Sequence, residues 1–386
     1  LAEEGGRLHV AIGRPVSVLP DLVDKARAIA VHWNADYTPY ARRRDATIAS
    51  AVPSIAHHGQ VIHPPGSILT NEGNRYRVFT PFHRKWSERP IPQTPRAATA
   101  TIASDPGEGL PETADPPLLP GETAALNRLD EFDARVDEYI SQRDRPDLDT
   151  TSRLSIDLKW GTIGPRTIID RLGTHTAGRA AFVRQLAWRD FYSDLLDATP
   201  ESIDDALRPE YRSIEWEDDQ AGLEAWKQGQ TGYPIVDAGM RQLDAEGWMH
   251  NRVRMIVASF LVKDLLVDWR LGERHFRHHL LDADVASNVG NWQWAAGTGA
   301  DAAPYFRIFN PVSQSKKFDP DGNYIRRWVP ELSDLDTSHI HEPWDAPPLE
   351  LAAAGVVLGD SYPEPIVDHP FARERALARY RDGLGR

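Results

Sequence analysis

The stretch Trp248-Met-His-Asn-Arg-Val-Arg-Met255 sets Asn251, Arg252 and Met255 on one turn of a helix, with Arg254 beside them. The helix that follows is apolar nearly all round, so two guanidinium groups stand at the head of a buried element. Unpaired buried charge is costly, and the natural partners are Asp282 and Asp284 in Asp282-Ala283-Asp284. An Asp-x-Asp pair can also hold a divalent metal beside a nucleotide, although no phosphate-binding loop accompanies it. A structural ion-pair network is the alternative. A third segment, Thr151-Ser152-Arg153-Leu154-Ser155, offers hydroxyls at an expected helix start, where free N–H groups and the helix dipole suit a phosphate. Plain N-capping by Thr151 or Ser152 accounts for the same residues. His275, His278 and His279 have metal-like helical spacing but no cysteine or carboxylate motif beside them, so they read as a solvated helix face. Gly297-Thr-Gly-Ala-Asp-Ala302 lacks the third glycine and the preceding strand of a dinucleotide loop.

The elements that must position these residues fall into three regions. From Arg7 to Arg89, short apolar runs alternate with helical stretches, as in βαβ units with a parallel sheet. Leu8–Ile12 and Ala28–Trp33 read as strands, Val16–Arg27 and Tyr40–Val52 as helices. Two such units make a thin sheet, and the chain opens at Leu1 without methionine, so the start of this domain is expected to be missing. Residues 90–121 are dense in Pro, Ala, Thr and Gly with almost no large apolar side chain, which predicts an interdomain linker. From Glu122 to Arg386 the pattern is helical. Pro165 and Gly173 bracket one helix. In another, Val183, Leu186, Ala187, Phe191 and Leu195 form an apolar stripe, with Gln185, Trp188, Arg189 and Tyr192 opposite. A helix over His250–Asp268 is expected at the domain centre.

The 386 residues suit two domains. No run reaches the ~18 apolar residues of a membrane helix and no signal peptide opens the chain, which predicts a cytoplasmic protein without membrane association. Cysteine is absent, which excludes disulfides, thiolate zinc sites and iron–sulfur clusters. The formal charge of −13 argues against loose adhesion to nucleic acid but leaves room for a local basic groove. Ten of the twelve tryptophans lie between Trp160 and Trp344, so aromatic rings belong to the business of the second half.

Together these segments resemble the photolyase/cryptochrome family, most of all its class I bacterial cyclobutane pyrimidine dimer photolyases. The resemblance is carried by Trp226–Arg241, Gly247–Arg252, Asn291-Trp-Gln-Trp294 and Tyr305–Pro311, and extends to Tyr362–His369. It implies an α/β antenna domain, Rossmann-like and incomplete here (1–89), the linker, and an all-α domain (122–386) that holds one FAD in a U shape. By resemblance, Thr151–Ser155 wraps the FAD phosphates with Tyr139 and Arg189 nearby. Asp282, Ala283 and Asp284 lie by the ribose and ring, Arg254 pairs with the acidic residues, and Asn288 faces flavin N5. Asparagine there implies the fully reduced flavin of repair enzymes, where plant cryptochromes have aspartate and animal ones cysteine. Trp292, Trp269 and Trp216 match an electron-transfer triad, ordered outward from the flavin.

The resemblance further implies a partner, UV-damaged DNA. Gln185, Trp188, Asn251, Arg252, Met255 and Trp294 would receive a flipped dinucleotide, while Arg143, Gln314, Lys316 and Lys317 would touch strand phosphates. No metal takes part, and the protein is expected to be a monomer. The implied activity is light-driven repair of cyclobutane pyrimidine dimers by electron transfer from excited reduced FAD. Two departures bear on this. Gln185 stands where dimer photolyases usually carry glutamate, and glutamine offers a carbonyl but neither a proton nor a negative charge. Glutamine also occurs in (6-4) photolyases, although Asn251 and Met255 replace the histidine of that class. Tyr40-Ala41 stands where folate-binding members have Asn-Glu, which implies a deazaflavin antenna rather than methenyltetrahydrofolate. A blue-light sensor without repair, and a DNA-binding protein with a decayed flavin site, are the competing readings.

Overall fold

Two parallel strands, β1 (Val31–Asn34) and β2 (Ser54–His57), form the sheet in the computed structural model, which describes residues 8–94, 118–301 and 304–385. Val31 lies opposite Ser54 and Asn34 opposite His57. A parallel pair needs a crossover, and the helix Pro39–Ala51 supplies it, started by Pro39 and by the Thr38 hydroxyl accepting from Ala41 N–H. The helix Pro15–Ala26 packs on it. The strand expected over Leu8–Ile12 does not form: only Val10 carries a bridge, and Leu8 and Ile12 lie exposed. An apolar run becomes a strand only where a ladder partner meets it, and the described residues provide a single bridge. Most of the expected linker, residues 95–117, lies outside the described residues.

Residues after β2 leave the sheet and pack on the helical part. Ile62, Ile68, Phe79, Phe82 and Trp86 share one core with Leu129, Phe132, Leu186 and Phe191. Asp190, buried in the long helix Ala177–Ala198, fixes this seam: its carboxylate accepts from Ile62 N–H, His63 N–H and Trp86 Nε1–H at 2.8–3.0 Å. Burial pushes its pKa up to about 6 despite those three donors. The expected stripe of that helix, Val183 to Leu195, is buried throughout. Pro165–Leu172 begins at its proline and ends at Gly173 as expected.

A second core gathers the helices Pro234–Glu246, Asn251–Ser259, Trp269–His279 and Val285–Ala296. The single helix expected over His250–Asp268 is shorter and changes character. After Ser259 the chain widens into a π turn, Phe260–Asp264, closed by Leu265 N–H on Phe260 O at 3.0 Å. Such turns accommodate a side chain that a regular helix would misplace. Lys263 lies there, fully buried, its ammonium group on Ala296 O and 3.6 Å from the Tyr380 ring centre. No helix among the described residues is long and apolar enough to cross a membrane.

Gly272 lets Trp292 in. A Cβ at this position would stand 2.2 Å from Trp292 Cη2 and 2.5 Å from Leu261 Cδ2. Gly→Ala inside a helix ordinarily stabilises by about 1 kcal/mol. Overpacking against a fully buried indole costs about 1–3 kcal/mol, so the clash decides the sign. The Gly272→Ala protein is expected to unfold at lower denaturant concentration than the parent, measured by urea titration.

Candidate functional site

Arg254 follows from its helix. His250 caps Asn251–Ser259, its Nδ1 accepting from Arg252 N–H at 3.2 Å, and the first turn then aims Arg254 across to the segment 280–284. There Nη1 and Nη2 grip Asp282 at 3.1 and 2.8 Å, while Nε donates to Met249 O at 2.8 Å. Asp284 does not share this pair. It caps Val285–Ala296 through Ser287 N–H at 2.8 Å and lies 3.9 Å from Arg189. Burial raises the Asp284 carboxyl, but Arg189 and the Ser287 donors outweigh it and hold the pKa below its ordinary value. Arg252 turns elsewhere, to Asp144 at 3.0 Å and over the Phe318 ring at 4.2 Å.

These elements enclose a cleft with about 590 Å³ of empty space, counting the part open to solvent. Its walls bring together Asn251, Arg254, Met255, Asp282, Ala283, Asp284, Asn288, Trp292 and Trp294. Six further residues converge with them without sequence forewarning, among them Ala258, Phe276 and Leu280 as its apolar lining and Asn291 near the rim. Asn288 is buried, and its amide donates to Glu273 Oε1 at 2.8 Å and Glu273 O at 3.1 Å. Asn251 rests its amide on Met255 Sδ at 3.9 Å.

The other expected residues lie outside this cleft. In the loop before Ser155, Arg153 has φ +53, a left-handed conformation uncommon for its type. It is held by Asp149 at 3.0 Å, Glu246 at 3.4 Å and the Trp248 ring at 4.4 Å. The capping role open to Thr151 and Ser152 is not taken: the helix Ser155–Trp160 has Leu154 at its N-cap and no side-chain cap. Ser152 instead accepts from Leu154 N–H, and the Thr150 and Thr151 hydroxyls are buried with no hydrogen-bond partner among the described residues. Leu154 is buried, and Ser155 is exposed. Tyr139 packs edge-on against Phe132 and Phe182. Arg189 donates to Gln60 O and to Leu158 O, and lines a smaller polar pocket with Asp36, Tyr37, Thr38, Lys159 and Asp284.

Trp188 meets an occupied neighbourhood, stacked on Phe79 at 3.6 Å between ring centres and near Tyr192 at 5.5 Å. Gln185 donates to Ala181 O at 3.2 Å, which leaves its carbonyl as the outward acceptor. Arg143 lies over Tyr139, Lys316 pairs with Glu342, Lys317 lies over Phe318, and Gln314 stands one turn before them, half-buried. Trp292 and Trp269 are buried in the main core, whereas Trp216 is half-buried at its edge, against Tyr380. The three histidines do not all face solvent. His275 is half-buried against Trp226 and His279, and burial lowers its pKa to about 4.

As a holder for a cofactor, this arrangement suits a flavin nucleotide. An apolar-walled cleft with an amide on its wall accepts a ring system. Two buried, unpartnered hydroxyls in the 150–155 loop and the guanidinium of Arg189 are donors for phosphate oxygens.

A family model described as the FAD binding domain of DNA photolyase matches residues 182–382, and one described as DNA photolyase matches residues 1–99. A deoxyribodipyrimidine photo-lyase of Agrobacterium fabrum is 44% identical over 98% of this chain and 85% of its own length. The crystal structure of a bacterial class III photolyase from Agrobacterium tumefaciens matches with a TM-score of 0.91 and 42% identity, over 100% of this chain and 86% of the other. A Synechocystis cryptochrome matches with a TM-score of 0.86 and 30% identity, over 97% and 84%.

One titration follows from the cap beneath the cleft. Burial lowers His250 to about pKa 4; Asp144 pulls it up, and Arg254 and Arg252 pull it down. The unfolded chain binds this proton near pH 6.5 and the folded one only near 4, so the contribution is complete above 6.5 and is lost as pH falls towards 4. Asn at an N-cap keeps the hydrogen bond without titrating. His250→Asn is expected to flatten the pH dependence of stability between 4 and 6.5 by up to about 1.4 kcal/mol per pH unit, measured by urea melts across that range.

Proposed function

Since the chain belongs to the DNA photolyase family, we propose that it repairs cyclobutane pyrimidine dimers in DNA with light and a reduced FAD. One observation carries this reading. Residues matched to the cofactor (Arg254, Asp282, Asp284, Asn288) and residues matched to the lesion (Asn251, Met255, Trp294) line the same cleft. A ring held by the first set and a flipped dimer received by the second would then be neighbours. When bound, reduced FAD supplies the excited electron that opens the cyclobutane ring and takes it back.

The chain's own groups do the positioning. Arg254 and Asp282 lock each other and shape the floor, and Asn288 offers its amide to the ring edge. Asp284 and Arg189, with the 151–155 loop and Tyr139, are the side for ribose and phosphates. Trp294 presents an aromatic face to an unstacked base, with Asn251 and Met255 beside it in the cleft; Trp188 and Arg252, outside the cleft, are assigned to the same lesion surface by resemblance. Gln185 gives the base a carbonyl acceptor. Arg143, Gln314, Lys316 and Lys317 form the rim for strand phosphates. Trp292, Trp269 and Trp216 are a run of oxidisable rings from the buried core to its edge, along which an electron can be drawn inward. The domain division at 1–89, 90–121 and 122–386, a deazaflavin antenna and a monomeric state complete the proposal.

Gln185 supports a second reading, repair of (6-4) photoproducts, because it lacks the charge of the usual glutamate. The test is an oligothymidylate carrying cyclobutane dimers, illuminated with blue light beside a dark control, the protein holding reduced FAD. Recovery of thymine absorbance only in the light is expected. No recovery there, with recovery on a (6-4) substrate, would transfer the assignment, and no repair of either lesion leaves a sensor. Stacking is worth about 1–3 kcal/mol per base, so Trp294→Ala is expected to weaken binding of the dimer strand by about 5- to 150-fold at unchanged FAD content, measured by fluorescence anisotropy.

A further inference from the structure

Arg184 carries an uncommitted charge beside two residues matched to the lesion. It is exposed on the helix Ala177–Ala198, immediately before Gln185 and one turn before Trp188. Residues four apart share a helix face, so Arg184 and Trp188 stand on the same side. Among the described residues Arg184 forms no ion pair and donates no hydrogen bond; its guanidinium lies over the Phe79 ring, 5.1 Å from the centre. The chain has 57 acidic side chains to 44 Lys and Arg, so a guanidinium without an acid runs against its composition. The cations expected at the rim are less free: Lys316 pairs with Glu342, and Arg143 stands 3.9 Å from Asp144.

Phe79 is a fixed platform. It is 1% exposed, stacked on Trp188 at 3.6 Å between ring centres and met edge-on by Phe191 at 5.7 Å. It also opens the helix Phe79–Glu88, which has no side-chain cap of its own. Asp301 supplies one: its carboxylate accepts from Phe79 N–H, and it stays beyond ion-pair distance of Arg184 although it feels that charge. A guanidinium laid over a ring uses its face and leaves its edge of N–H donors free. Those donors match phosphate oxygens two at a time, and a side chain held in advance loses less freedom on binding.

We propose that Arg184, held on Phe79, is a strand-phosphate residue that grips the DNA backbone beside the flipped dimer. The inference rests on the DNA-repair reading above and adds a residue which that reading does not assign. It also gives the segment after β2 a part in DNA binding, because Phe79 belongs to that segment and not to the helices of the cleft. Phosphate contacts position a strand without reading its bases, so the contribution is equal for damaged and undamaged DNA.

The experiment titrates the FAD-loaded protein with a duplex carrying one cyclobutane dimer, and with the same duplex undamaged, between about 0.05 and 0.2 M salt. Fluorescence anisotropy gives the slope of log affinity against log salt, to which each phosphate contact contributes about 0.9. Arg184→Gln is expected to lower the slope by about 0.9 on both duplexes, a loss of roughly eightfold in affinity at about 0.1 M salt. Arg184→Lys keeps the charge and is expected to keep the slope.

An unchanged slope in Arg184→Gln overturns the proposal. A loss confined to the dimer duplex does so too, since that is a base contact. So does an equal loss in Arg184→Lys, which would come from packing, or in Lys25→Gln, which removes the same charge from the helix Pro15–Ala26. A parent protein that shows no preference for the dimer duplex and repairs no lesion overturns the functional reading itself, a result distinct from these.

Discussion

Arg254 commits all three of its guanidinium nitrogens, two to Asp282 and one to Met249 O, and the cleft takes its shape from that commitment. The pair ties the head of one core helix to the turn that launches another, so Asn251 and Met255 on one side and Asn288 and Trp292 on the other are held at fixed separation. Removing either partner would leave a charge at the cleft floor with no compensation, which is far costlier than losing the pair's own attraction. Hydrophobic packing alone could not supply this, because apolar contacts fix density but not direction.

Buried polar groups elsewhere follow the same logic. Asp190 joins the segment after β2 to the long helix Ala177–Ala198 through three donors. Asp237 takes Thr231, Gly232 and Tyr362, and so fixes the start of Pro234–Glu246. In each case a carboxylate at a helix replaces what would otherwise be a loose loop. The cores around them are unusually aromatic, with Trp226, Phe276 and Trp292 meeting edge to face or stacked.

Local periodicity made much of this readable. The Ala177–Ala198 stripe, the Pro165–Leu172 boundaries and the crossover helix Pro39–Ala51 each depend on signals within a few residues of one another. The Arg254–Asp282 pair was legible too, because a buried arginine demands an acid and few were near. What escaped depends on partners distant in sequence. Leu8–Ile12 has the composition of a strand, but strand formation belongs to the ladder and not to the run. The π turn at Phe260–Asp264 leaves no trace in an apolar sequence. Phe79 reaches Trp188 across more than a hundred residues, so nothing local could say that the ring is stacked. Glu273 did leave a signal, a carboxylate on an otherwise apolar face. Its i,i+4 spacing to Arg277 disguises it as an ordinary surface pair.

The notch at Gly272 has a meaning beyond fit. An indole wedged against a bare helix backbone, with Leu261, Phe276 and Trp226 about it, has little room to tilt or slide. Surroundings that do not move exact little reorganisation from a passing charge. In the proposed relay, the missing side chain at Gly272 would thus convert tight packing into a low barrier, and a glycine would become part of the wiring.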